Sequence, residues 1–105
     1  MPARNVYHDA VRAALEADGW TITDDPLTLV VADRNLHVDL GAERCPIGAE
    51  RDGRRIAVEV QSFRTQSPVA DLQQAIGQYV MYAAALAALG SDRVLYLAVP
   101  RAVYD

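Results

Sequence analysis

Between Arg4 and Asp18 the apolar residues Tyr7, Ala10, Val11, Ala14 and Leu15 recur at helical spacing, with Asp9, Arg12 and Glu16 opposite. This predicts a first helix, and Gly19 is suited to stop it. From Trp20 the pattern becomes extended. It pauses at the turn-like Thr23-Asp24-Asp25-Pro26 and resumes in Leu27-Thr28-Leu29-Val30-Val31, which is rich in residues that favour strands. After a second turn, Ala32-Asp33-Arg34-Asn35, the residues Leu36, Val38 and Leu40 alternate with His37 and Asp39, predicting one strand with His37 and Asp39 on the same face. The pattern from Gly41 to Arg51 is indistinct, but Asp52-Gly53 signals a hairpin turn. It leads into Ile56-Ala57-Val58-Glu59-Val60-Gln61-Ser62-Phe63, where Ile56, Val58 and Val60 face one way and Ala57, Glu59 and Gln61 the other.

Ser67-Pro68 marks a helix start, serine as cap and proline in the first turn, and the helix is expected to run to about Leu89, before Gly90. Its expected buried stripe is Val69, Leu72, Ile76, Tyr79, Val80, Ala83 and Ala87, with a second row of Gln74, Gln78 and Tyr82 beside it. Val94 to Val99 is uniformly apolar, as in a central strand covered on both faces, and Pro100 ends it. The order helix, strand, strand, strand, helix, strand predicts an α/β fold, a mixed central sheet flanked by helices.

Composition narrows this. The chain has 105 residues, 51% of them hydrophobic, which suits one small domain spanning residues 1–105. A net charge of -4 argues against gripping nucleic acid alone through a broad basic surface. Cys45 is the single cysteine, which excludes an intramolecular disulfide, points to a reducing compartment and reads as a packing residue. No apolar run is long enough to span a bilayer and MPARNVYHDA lacks a signal peptide's apolar segment, so a soluble cytoplasmic protein with no membrane partner is expected. All 10 basic residues are arginine.

The chemistry centres on Glu59. A carboxylate inside an apolar strand needs a partner, and a second acid, Asp39, on an earlier strand suggests a bound cation. Two carboxylates on adjacent strands suit a hard, oxygen-seeking ion such as Mg²⁺. The plainer readings stand beside this one. Asp39 also reads as a strand end, Glu43 as loop surface, Glu50 as a partner for Arg55 across the hairpin, and His8 as a packed, hydrogen-bonded histidine. Asp9 reads as a partner for Arg12, and His37 with Asp39 does not make a zinc site.

The element order, with an acid on the second strand and Glu59-Val60-Gln61 on the third, resembles the restriction-endonuclease-like, PD-(D/E)xK, superfamily with its αβββαβ core. Gln78-Tyr79-Val80-Met81-Tyr82 is similar to a helix signature of RecB-type nucleases within it. Longer strings resemble the XisH family of fdxN element excision controlling factors. They are Asp18-Gly19-Trp20-Thr21-Ile22-Thr23, Asp25-Pro26-Leu27, Val38-Asp39-Leu40-Gly41-Ala42-Glu43, Ala49-Glu50, Ile56-Ala57-Val58-Glu59, Ser62-Phe63 and Asp92-Arg93-Val94-Leu95-Tyr96-Leu97-Ala98-Val99-Pro100.

The resemblance implies a DNA-linked protein of mobile-element excision, with a XisI-like protein as partner. It implies Asp39, Glu59 and the carbonyl of Val60 as ligands of Mg²⁺ or Mn²⁺, and puts Gln61 where the superfamily pattern has lysine. Glutamine can hold a water but supplies no charge, and the chain has no lysine to substitute. Glu50, His8 or Asp9 are candidates to complete the site, and Gln78 and Tyr82 to border its cleft. Arg51, Arg54, Arg55 and Arg64 are candidates for DNA backbone contact, and Arg55 or Arg64 for stabilising charge. Two functions follow: a metal-dependent DNA endonuclease, or a non-catalytic accessory module for a XisI-like partner. Members of the family usually continue for a further helix and strand, so the resemblance implies either that the tail is absent or that the sequence is trimmed, leaving an edge open to pairing with another chain, including a second copy.

Overall fold

The computed structural model describes residues 7–44, 53–61 and 68–99. Cys45, Glu50, Arg51, Asp52, Arg64 and the Ser67 cap lie outside the described residues, as does everything beyond Val99.

The elements run α1 (His8–Ala17), β1 (Thr21–Asp24), β2 (Leu27–Val31), β3 (Arg34–Val38), β4 (Leu40–Arg44), β5 (Arg54–Val60), α2 (Pro68–Ala88) and β6 (Val94–Ala98). A four-stranded sheet has the order β1-β4-β5-β6, and β2 and β3 form a separate two-stranded hairpin. Within the main sheet β1–β4 and β4–β5 are antiparallel and β5–β6 is parallel, so the sheet is mixed as expected. Among the described residues five strands precede α2 rather than the expected three, because Leu27–Val31 and Arg34–Val38 pair with each other as a hairpin outside the main sheet.

Both helices stop where the glycines predict. Gly19 and Gly90 adopt positive φ of 92° and 65°. In α1, Trp20 N–H donates to Leu15 O and Gly19 N–H to Glu16 O; in α2, Ser91 N–H donates to Leu86 O and Gly90 N–H to Ala87 O. These are paired Schellman bonds, which only a left-handed residue after the helix allows.

Strand β5 is buried from Ile56 to Val60 and separates two cores. On one side Ile56, Val58 and Val60 join Leu40 and Ala42, covered by Val11, Leu15 and Trp20. On the other, Ala57 joins Leu27, Leu29, Val38 and Leu95, covered by Tyr82, Ala85 and Leu86 of α2. The alternation read along this strand is therefore the one that divides the cores.

Three expectations are corrected. First, Leu36 to Leu40 is not one strand: β3 ends at Val38 and β4 begins at Leu40. Val38 and Leu40, which one strand would turn to a single face, fall into different cores, because the chain passes from the hairpin to the main sheet at Asp39. His37 stays on the exposed side of the hairpin, 3.1 Å from Thr28 Oγ1, and shares no face with Asp39. Second, the expected stripe of α2 is largely exposed: Val69 is 67%, Ile76 52% and Val80 60% accessible. Ala75, Tyr82, Ala85 and Leu86 face inward instead. The helix carries no charge beyond Asp71 and is apolar most of the way round, so spacing could not fix its rotation. Third, among the described residues β6 lies at the edge of the sheet, with Val94 and Tyr96 more than half exposed. The inner strand covered on both faces is β5.

Candidate functional site

Asp39 sits at the step between sheets, and Glu59 on β5 points to the side covered by α2. Each acid accepts a backbone N–H beside the other, Glu59 from Asp39 itself and Asp39 from Val60, the residue after Glu59. Asp39 N–H donates to Glu59 Oε1 at 3.2 Å, and Val60 N–H donates to Asp39 Oδ2 at 2.8 Å. Glu59 is buried, 7% exposed, and its pKa is pushed up to about 8 by burial first and then by the neighbouring Asp39 charge and hydrogen bond. Among the described residues no arginine pairs with either carboxylate. At neutral pH Glu59 therefore keeps its proton.

Tyr82 reaches the same place from α2. Its hydroxyl is pushed up to about 12 by burial, then by the charges of Glu59 and Asp39, so it stays protonated and offers a donor. Gln61 follows the end of β5, its Nε2 donating to Gln78 Oε1 at 2.5 Å. Gln78 and Tyr82 thus lie on the side of α2 that meets the acids, one helical turn apart, whereas Gln74 of the same sequence row is exposed.

From α1 comes His8, 5% exposed, with Nδ1 4.0 Å from Asp39 Oδ1 and Nε2 2.8 Å from Asp25 Oδ1. Asp25 Oδ2 accepts from Arg12 Nη1 at 2.5 Å, and Arg12 also approaches Glu16 at 3.8 Å, so Arg12 serves Asp25 rather than chiefly Asp9. Asp9 is exposed on α1. The structure thus gathers Asp39, Glu59, Val60, Gln61, Gln78, Tyr82 and His8. Spacing gave no role to Asp25, which read only as a turn residue; its one signal was the string Asp25-Pro26-Leu27.

Arg54 and Arg55 start β5, exposed, and Arg55 Nη1 donates to Asp92 Oδ1 at 3.1 Å. Four strand residues put Arg55 about 13 Å from Glu59, so it does not serve the acids. An apolar hollow of about 190 Å³ between α1 and the strands touches Val60 and Gln61 but neither acid, and is not the site's cleft.

For a divalent ion the donor set is of the right kind, two carboxylates brought together, Glu59 buried and Asp39 partly exposed. Among the described residues, however, no group of three or more His, Cys, Asp or Glu side chains is arranged to hold a metal. Among the same residues no helix is long and apolar enough to cross a membrane.

The model of the XisH protein family matches residues 1–105. Two solved structures are similar. An XisH family protein from Nostoc punctiforme PCC 73102 is 44% identical over 95% of this chain and 73% of its own, with a TM-score of 0.81. A fdxN element excision controlling factor protein from Anabaena variabilis is 47% identical over 96% of this chain and 73% of its own, with a TM-score of 0.80. A search of the curated proteins gives no match.

Proposed function

The chain belongs to the XisH family, and from that premise and its paired acids we propose that it is a Mg²⁺-dependent DNA endonuclease of the restriction-endonuclease-like type, serving excision of a DNA element. The observation that carries the reading is Glu59, buried and raised to about 8 by burial and by Asp39, in a place where no arginine among the described residues pairs with either acid. Such a pair is costly to ionise and gains most from a divalent ion.

In this reading Asp39 and Glu59 hold the ion, with the Val60 carbonyl and His8 as further donors. When bound, the ion offsets the charge that builds on a phosphodiester as it is cut. The protein's own groups do the rest. Asp39 anchors the Val60 amide, which fixes the end of β5. Gln61, held by Gln78, presents a neutral amide that orients a water or phosphate oxygen by hydrogen bonds alone. Tyr82 donates a hydrogen bond without titrating in the neutral range.

A second reading, an accessory module that keeps the fold for a XisI-like partner, is favoured by one observation: the lysine position is Gln61, already engaged by Gln78. Plasmid nicking with Mg²⁺ or Mn²⁺ by wild type, Glu59→Ala and Gln61→Lys decides between them. The nuclease reading expects wild type to nick and Glu59→Ala to fail. If Gln61→Lys alone cuts, the natural protein is a disabled nuclease. If none cuts, and no Mn²⁺ binding is seen by calorimetry, the nuclease reading falls, and co-purification with a XisI-like protein tests the alternative.

A further inference from the structure

Two residues one helical turn apart on α1, His8 and Arg12, close on the two oxygens of a single carboxylate. Asp25 Oδ1 lies 2.8 Å from His8 Nε2, and Asp25 Oδ2 accepts from Arg12 Nη1 at 2.5 Å. A carboxylate bound to a guanidinium can only accept, so the imidazole nitrogen facing it must carry hydrogen. In the neutral ring this leaves Nδ1 as a lone pair. Nδ1 stands 4.0 Å from Asp39 Oδ1, too far for a direct hydrogen bond. His8 is 5% exposed, so its ring is held in a packed place between Asp25 and Asp39.

We infer that Asp25, braced by Arg12, is a positioning residue: it locks His8 in the Nε2–H tautomer and so turns the free Nδ1 lone pair on the Asp39–Glu59 acids. Carboxylates that orient a histidine in this way set both ring angle and tautomer at metal sites. The inference rests on the cation reading for its consequence in binding, while the tautomer stands independently of it. The same carboxylate links α1 to the segment between β1 and β2, so the orientation of His8 is tied to the docking of α1.

The test reads the two parts separately. Long-range ¹H–¹⁵N NMR of the full, metal-free chain at about pH 8.5, above the ordinary histidine range, reports the tautomer, with His37→Gln assigning the two rings. His8 is expected as Nε2–H in wild type and as a mixture in Asp25→Ala, with Asp25→Asn, which keeps an acceptor oxygen, between them. Mn²⁺ titration of the same proteins is expected to show affinity about 10–100-fold weaker in Asp25→Ala. An Nδ1–H ring in wild type, or an unchanged tautomer in Asp25→Ala, overturns the positioning role. Should Asp25→Ala fail to fold, Asp25→Asn decides, since an amide that leaves tautomer and affinity untouched also overturns it. A lost tautomer with unchanged Mn²⁺ affinity overturns the link to the acids. If wild type binds no Mn²⁺ at all, the cation reading falls, and the wild-type and variant tautomers alone decide Asp25's role.

Discussion

Asp39 and Glu59, twenty residues apart in the chain, hold each other through backbone amides: Asp39 N–H bonds the Glu59 carboxyl at 3.2 Å and the Asp39 carboxyl takes the Val60 N–H at 2.8 Å. Glu59 therefore needs a proton in the folded chain up to about pH 8 but ionises near 4.5 when exposed. Between these values the folded state binds more protons than the unfolded, so stability falls as pH rises. The penalty is absent below the lower value and complete above the upper one, on the order of 5 kcal/mol. Chemical denaturation of the metal-free protein from pH 4.5 to 9 should show this slope, and Glu59→Gln should flatten it. An equal slope in both proteins would place the titration elsewhere.

In the proposed cation site the same proton competes with the ion. Mn²⁺ affinity should rise by up to about tenfold per pH unit below 8 and level off above it, because Glu59 must release its proton to bind. Calorimetry in two buffers of different ionisation enthalpy counts that proton. Release of none at pH 7 would mean that the ion binds away from Glu59.

How much of this the sequence disclosed depends on what each residue needed. The alternation of Ile56 to Gln61 was legible because both faces of β5 are packed, and the two glycine stops because positive φ selects glycine. Asp39 and Glu59 stood out as acids among apolar neighbours. The break at Asp39 was hidden because Leu36, Val38 and Leu40 alternate without interruption across two sheets. The rotation of α2 was hidden too: an alanine-rich helix with one charge offers several apolar faces, and the inward one includes Gln78 and Tyr82, which meet the acids rather than the solvent. Asp25 was hidden because a turn is where an aspartate needs no other reason.

The setting of α2 predicts an inversion of the pattern read from spacing. Leu86→Ala, at a position 4% exposed, should cost about 2–4 kcal/mol. Ile76→Ser, at a position 52% exposed, should cost less than about 1 kcal/mol. Urea denaturation of the two variants measures both, and the opposite ranking would mean that the helix presents its other face to the sheet.

Gln61 and Gln78 make a pair whose value is separable. Their 2.5 Å hydrogen bond is partly buried and joins the end of β5 to α2 beside the acids. Losing either amide leaves the other without its partner, so Gln61→Ala and Gln78→Ala should each cost about 1–2 kcal/mol. The double variant should cost less than their sum by about 1 kcal/mol, since the second removal strands nothing. Gln61→Leu with Gln78→Leu extends the comparison, because replacing both amides by apolar groups of similar size removes the bond without leaving an unmet donor. That variant should be nearly as stable as wild type, while any nicking by wild type should be lost with it. Activity surviving in the stable double-leucine protein would assign the pair to the fold alone and leave the orientation of water or phosphate to Tyr82 and the acids.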